Sequence, residues 1–175
     1  MSTIKIKYRL LKNVAEKWNP NDLKPENNGG FNSSLEEKIL RWICRGDVLY
    51  DVTFPDDAEV IDSASPNSPH GVFVSNKIIM TNPRPLTDDL VMELYNKSEL
   101  PEKSFFAALP ICASRGYMNT AKKIIADKVT VSNVNQVIEI FKEWTKDKAT
   151  GIFEESNLNE NALSVYKMLL DIQGN

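Results

Sequence analysis

The chain has 175 residues, 42% of them hydrophobic and 26% charged, with a formal net charge of −3. This is the balance of a folded globular protein with length for one core or two small ones, and it excludes disordered and fibrous chains. Residues 1–86 carry 11 basic and 11 acidic side chains and residues 87–175 carry 10 and 13, so neither half has the basic excess of a nucleic-acid-binding face.

Residues 3–11 alternate Ile4, Ile6, Tyr8 and Leu10 with Lys5, Lys7 and Arg9, which predicts a first strand with one apolar and one basic face. Its apolar positions are too interrupted for an export signal, and no apolar run in the chain approaches a bilayer span. A cytoplasmic protein, of its own cell or of a host cell, with no membrane partner is therefore expected. The basic face complements the acidic stretch Asp51, Asp56, Asp57, Glu59 and Asp62, which places strand 3–11 beside a strand over 48–54. Residues 13–32, rich in Asn and Pro and ending in Gly29-Gly30, predict a long surface loop around Trp18. Ser33 and Ser34 then offer N-caps, Ser34 with Glu37 at capping-box spacing. The helix they open carries Leu35, Ile39, Leu40, Trp42 and Ile43 as its apolar stripe and stops at Arg45, with Gly46 at the C′ position.

Val48, Tyr50, Val52 and Phe54 alternate with Leu49, Asp51 and Thr53, and Pro55 closes this strand by removing a ladder donor. Asp56 and Asp57 read as a turn rather than a pair of metal ligands. A loop of Ser, Pro and Asn carrying His70 leads to a second β-branched stretch, Gly71 to Met80, and Asn82-Pro83-Arg84-Pro85 predicts an extended connector.

Beyond Pro85 the period changes from 2 to 3.6. Thr87 caps a helix with Asp88 and Asp89 in its first turn and Leu90, Val91, Leu94 and Tyr95 inward. Pro101 opens the next, through Phe105, Phe106, Leu109 and Cys112, with a kink expected at Pro110. A turn at Gly116-Tyr117 joins it to a helix from Met118 to Asp127, making residues 101–128 an αα-hairpin. Asn133 with Gln136 begins a helix with Val137, Ile138, Phe141 and Trp144 inward. After a loop over 147–158, the last helix, Asn159 to Gln173, buries Leu163, Tyr166, Leu169 and Leu170. The fold class is α+β. Residues 1–85 form a small, mostly antiparallel sheet with one helix, and residues 86–175 a helical bundle or helix-pair array.

No complete catalytic set appears. Cys44 and Cys112, the only cysteines, lie among apolar neighbours and read as buried thiols; no metal site is indicated. His70, the only histidine, sits in a loop and would need an orienting carboxylate such as Asp62 to act as a base. Gly29-Gly30 lacks the remainder of a phosphate loop, and no G-x-S-x-G elbow occurs. Lys5, Lys7 and Arg9 read as a solvated or cross-paired strand face.

Arg9 on a first strand, Phe31-Asn32-Ser33-Ser34 after a Gly-rich stretch, the strand Leu49 to Phe54 followed by Pro-Asp-Asp-Ala-Glu-Val-Ile, and a later strand Lys77 to Met80 together resemble a degenerate ADP-ribosyltransferase fold. The resemblance implies an NAD site in which Arg9, Ser33 and Ser34 hold the nucleotide. Val74-Ser75-Asn76-Lys77 stands where that family carries its glutamate, with Glu59 and Asp62 the nearest carboxylates. The same order of segments, followed by the helix pair Ser104 to Lys128, also resembles the N-terminal modules of ankyrin-repeat proteins of large DNA viruses. The leading expectation is a non-catalytic protein-interaction module without a cofactor, of viral or phage accessory type. It would bind an unidentified protein through Trp18, Phe31 and the 63–70 loop with His70, because aromatics in such loops make interface anchors. The alternative is an ADP-ribosyltransferase-like nucleotide-binding enzyme, or an inactive relative, using NAD.

Overall fold

The computed structural model describes residues 3–7, 16–17, 31–62 and 70–174. The chain forms two compact units, one of Met1–Leu86 with Asn96–Leu100 and one of Thr87–Tyr95 with Pro101–Asn175. The first holds seven strands: β1 (Thr3–Lys7), β2 (Glu16–Lys17), β3 (Phe31–Leu35), β4 (Val48–Thr53), β5 (Val60–Asp62), β6 (Val72–Ser75) and β7 (Lys77–Pro85). Six of them make an antiparallel sheet in the order β7-β4-β1-β3-β6-β5, and the two-residue β2 pairs along β7.

The expected neighbours β1 and β4 do pair, over Thr3 to Lys7 and Val48 to Val52. Lys5 and Asp51, two of the charges invoked for that pairing, do not face each other. The register sets Lys5 opposite Tyr50 and Asp51 opposite Ile4, so base and acid point to opposite faces. Asp51 instead accepts hydrogen bonds from Arg84 (2.5 Å) and Asn82 (2.9 Å) on β7. Lys5 lies over the Phe31 ring, 5.3 Å from its centre. Burial of apolar area drives the pairing: Val48, Tyr50, Val52, Ile78 and Met80 form one buried cluster, with Phe31 and Phe54 against it. On the other face Ile4, Ile6 and Leu49 are also buried, so the centre of the sheet is covered on both sides.

Several expectations in this unit are corrected. Ser33 and Ser34 do not cap a helix; they lie in β3, and the helical segment that follows has Leu35 at its N-cap with no side-chain cap. That segment is a 3-10 helix, Glu36–Arg45, broken by non-helical angles at Trp42. Gly46 after it is extended rather than left-handed. The stretch Gly71 to Met80 holds two strands, interrupted at Asn76, and the Asn82–Pro85 connector is the end of β7, paired to β4 across a bulge.

The second unit contains α1 (Asp88–Lys97, ending in the first unit), α2 (Glu102–Ser114), α3 (Met118–Lys128), α4 (Val134–Thr145) and α5 (Glu160–Gln173). Thr87 Oγ1 accepts from Leu90 N–H at 3.2 Å, as its capping role requires. Pro110 sits inside α2, buried, without ending it. At the α2–α3 turn Gly116 has φ +79°, the left-handed region that favours glycine. There Tyr117 N–H donates to Cys112 C=O and Gly116 N–H to Ala113 C=O, the paired bonds of a Schellman stop. The core of this unit is Phe105, Phe106, Leu109, Ile124, Val137, Phe141, Val165 and Leu169, drawn from four helices at helical spacing. Leu90, Leu163 and Leu170 are half-buried rather than buried, and two further side chains behave otherwise than expected. Trp144 is 46% exposed rather than inward. Asn133 does not cap α4; its amide accepts from Thr130 N–H and donates to Lys128 C=O, bracing the preceding turn.

Candidate functional site

The end of the sheet is built by a short relay. Pro55 stops β4, and Ala58 N–H donates to Pro55 C=O at 2.9 Å to close the turn that carries Asp56 and Asp57. Asp57 pairs with Lys77. Glu59 is then clamped by Asn76: its N–H donates to Asn76 Oδ1 at 2.9 Å, and its C=O accepts from Asn76 N–H at 3.2 Å. Asn76, which interrupts β6 and β7, thereby starts β5 along β6 in the register Val60–Ser75, Ile61–Val74 and Asp62–Phe73.

In an antiparallel ladder, residues that exchange hydrogen bonds with the neighbour alternate with residues whose N–H and C=O point away. Since Glu59 faces Asn76, Ile61 faces Val74, and the backbone groups of Val60 and Asp62 point outward. β5 ends the sheet order, so these groups form an open edge among the described residues. The same three residues are all exposed, Val60 by 40% and Ile61 by 42%. In sequence the pair is flanked by Asp56, Asp57, Glu59 and Asp62, of which Asp57 pairs with Lys77. An open ladder, exposed β-branched side chains and local negative charge are the elements for adding a basic extended segment.

The expected site residues fall in different places. His70 is at this edge: its Nδ1 lies 3.6 Å from Asp62 Oδ2, and its side chain is 85% exposed. The carboxylate that its loop position called for is thus the last residue of β5. Phe31 lies elsewhere, half-buried on β3 against the cluster of Val48, Tyr50, Val52, Ile78 and Met80. Ser33 and Ser34 are both completely buried in the interior of the sheet. Alternation along β3 turns their hydroxyls to opposite faces, so a ligand on one face meets only one of them. Ser34 Oγ donates to Leu35 C=O at 2.9 Å, whereas Ser33 Oγ has no partner among the described residues. Arg9 and Trp18 lie outside the described residues. What the sequence reading passed over is Val60-Ile61; a β-branched pair after a Pro-Asp-Asp turn was the available signal, too short to carry a period.

Among the described residues no group of three or more His, Cys, Asp or Glu side chains could hold a metal ion, and no helix is long and apolar enough to cross a membrane. Compared with protein-family models, with curated proteins and with solved structures, the chain finds no match.

Proposed function

We propose that the protein is a non-catalytic interaction module that takes an extended, Lys- or Arg-bearing segment of a partner protein as an added strand along β5. The observation that carries this reading is the open edge itself, where outward backbone groups at Val60 and Asp62 coincide with exposed Val60 and Ile61 and an acidic surround. Added-strand contacts draw affinity from main-chain hydrogen bonds and selectivity from alternate side chains. A three-residue edge suits a short linear segment better than a folded domain. His70 beside Asp62 stands at the end of β5, where it meets whatever follows the added strand.

The test is selection of binders from a random 12-residue peptide display library, followed by measurement on Val60→Pro and Ile61→Pro variants. Proline at 60 removes an outward N–H and leaves the β5–β6 ladder intact, whereas proline at 61 breaks that ladder. Selected peptides should alternate basic and β-branched residues, weaken as ionic strength rises, and lose binding to Val60→Pro while its melting temperature holds. Peptides without basic enrichment that bind Val60→Pro as well as wild type would refute the reading.

A further inference from the structure

The 3-10 segment ends in Arg41-Trp42-Ile43-Cys44-Arg45. Trp42 is buried and kinks the segment, with φ −110° and ψ 17°. Its ring carries two cations: the guanidinium carbon of Arg45 lies 4.6 Å from the ring centre and that of Arg41 lies 5.5 Å away. Among the described residues neither arginine has a carboxylate partner, in contrast to Arg84, which pairs with Asp51. Arg41 Nη1 is enclosed and makes no hydrogen bond. Burial lowers the pKa of both guanidinium groups; at Arg45 the neighbouring Cys44 opposes that shift and the charge of Arg41 adds to it.

An indole face offsets part of the cost of holding a cation out of water, but it accepts no in-plane hydrogen bond. Each guanidinium carries five N–H donors in a rigid fork, of which those on Arg41 Nη1 are enclosed. Two such forks held on one ring, without a carboxylate partner among the described residues, call for a compact acceptor of matching charge. A carboxylate brings one negative charge and two oxygens; a phosphate monoester brings nearly two charges and three terminal oxygens.

We propose that Arg41 and Arg45, preorganised on the Trp42 ring, form a binding site for the phosphate group of a small-molecule ligand. Because the guanidinium groups occupy the indole, the ring offers no platform to a base or sugar, and the site recognises phosphate alone. Free phosphate and the phosphoryl group of a nucleotide therefore share this chemistry. The site does not use the β5 edge and stands or falls apart from it.

The test is a fluorescence titration of the full chain at low ionic strength, with Trp18→Phe and Trp144→Phe introduced so that Trp42 is the sole reporter. Inorganic phosphate, pyrophosphate, AMP and succinate are the probes. Phosphate, pyrophosphate and AMP should each give a saturable change, and succinate, of equal charge but different shape, a much weaker one. AMP binding as phosphate does assigns recognition to the phosphoryl group, and AMP failing where phosphate binds assigns the site to free phosphate. Arg45→Gln should weaken binding roughly tenfold or more, as expected for loss of a charged hydrogen-bonding partner. Arg45→Lys should recover only part of it, since lysine keeps the charge without the fork. Arg45 is exposed, so its variants test the site even if Arg41→Gln fails to fold. No saturable change at millimolar phosphate, an undiminished change in Arg45→Gln, or succinate binding as tightly as phosphate would overturn the proposal.

Discussion

Replacing Asp88 tests how the helical unit is tied together. Asp88 begins α1, yet its carboxylate caps α3: Oδ2 accepts from Asn119 N–H at 2.8 Å, and Oδ1 accepts from Thr120 N–H at 3.0 Å and Thr120 Oγ at 2.7 Å. α3 has no side-chain cap of its own, and Thr120 is completely buried. Loss of an N-cap costs about 0.5–2 kcal/mol, and bonds to a charged acceptor rank at the upper end of hydrogen-bond strengths. In Asp88→Ala the Thr120 hydroxyl falls back on the Asp88 carbonyl, 3.2 Å away, which limits the damage. Asp88→Ala should therefore cost about 2–3 kcal/mol in urea denaturation, and Asp88→Asn, which retains one acceptor oxygen, about half as much. Partial burial opposes ionisation of Asp88, but the bonds from Asn119 and Thr120 outweigh it and hold the carboxyl below the usual range. A carboxyl with a depressed folded pKa stabilises above its unfolded pKa and loses that contribution as pH falls. The gap between wild type and Asp88→Asn should thus be full near neutrality and shrink from about pH 5 downward. An Asp88→Ala cost below about 0.5 kcal/mol, or a gap that widens in acid, would refute the assignment.

Further outcomes follow from single residues. Ser33 and Ser75 bury hydroxyls that have no partner, so Ser33→Ala and Ser75→Ala should be neutral or stabilising by up to about 1 kcal/mol in denaturant titrations, instead of showing the usual loss for a core substitution. Under the nucleotide-binding alternative, NAD should raise the melting temperature saturably and Ser33→Ala should abolish that rise; no response to millimolar NAD would dismiss this alternative. Gly116→Ala forces a left-handed residue to carry a Cβ, placed 3.2 Å from Asn161 Nδ2, and should cost about 1–2 kcal/mol in thermal melts. Cys112 is buried and its thiol is pushed up to about 12. It should resist thiol reagents at pH 8 and react only on unfolding, as shown by peptide mapping after timed labelling.

The helical half was legible because its information is local. Caps such as Thr87, the stop at Gly116 and stripes such as Val137, Ile138 and Phe141 act within one or two turns, and period 3.6 repeats often enough to be counted. Even there, exposed Trp144 shows that periodicity marks a face without saying how far the neighbouring helices extend over it. The sheet was legible only where a strand was long and alternating, as in β1 and β4. β3, Phe-Asn-Ser-Ser-Leu, has no apolar alternation and β5 is only three residues long, so pairing with partners distant in sequence makes them strands. The same non-local pairing turned Ser33 and Ser34 from helix caps into interior strand residues, carried β7 through two prolines, and set Lys5 away from Asp51. Which strand is left at the edge is a property of strand order, so Val60-Ile61 became a candidate site only in the tertiary structure. The Arg41-Trp42-Arg45 spacing was in plain view, but that both cations rest on one buried ring, without carboxylate partners among the described residues, was decided by how the chain packs around them. Composition and local pattern thus determined the α+β class and the helices, and long-range contacts determined the surfaces on which function is proposed.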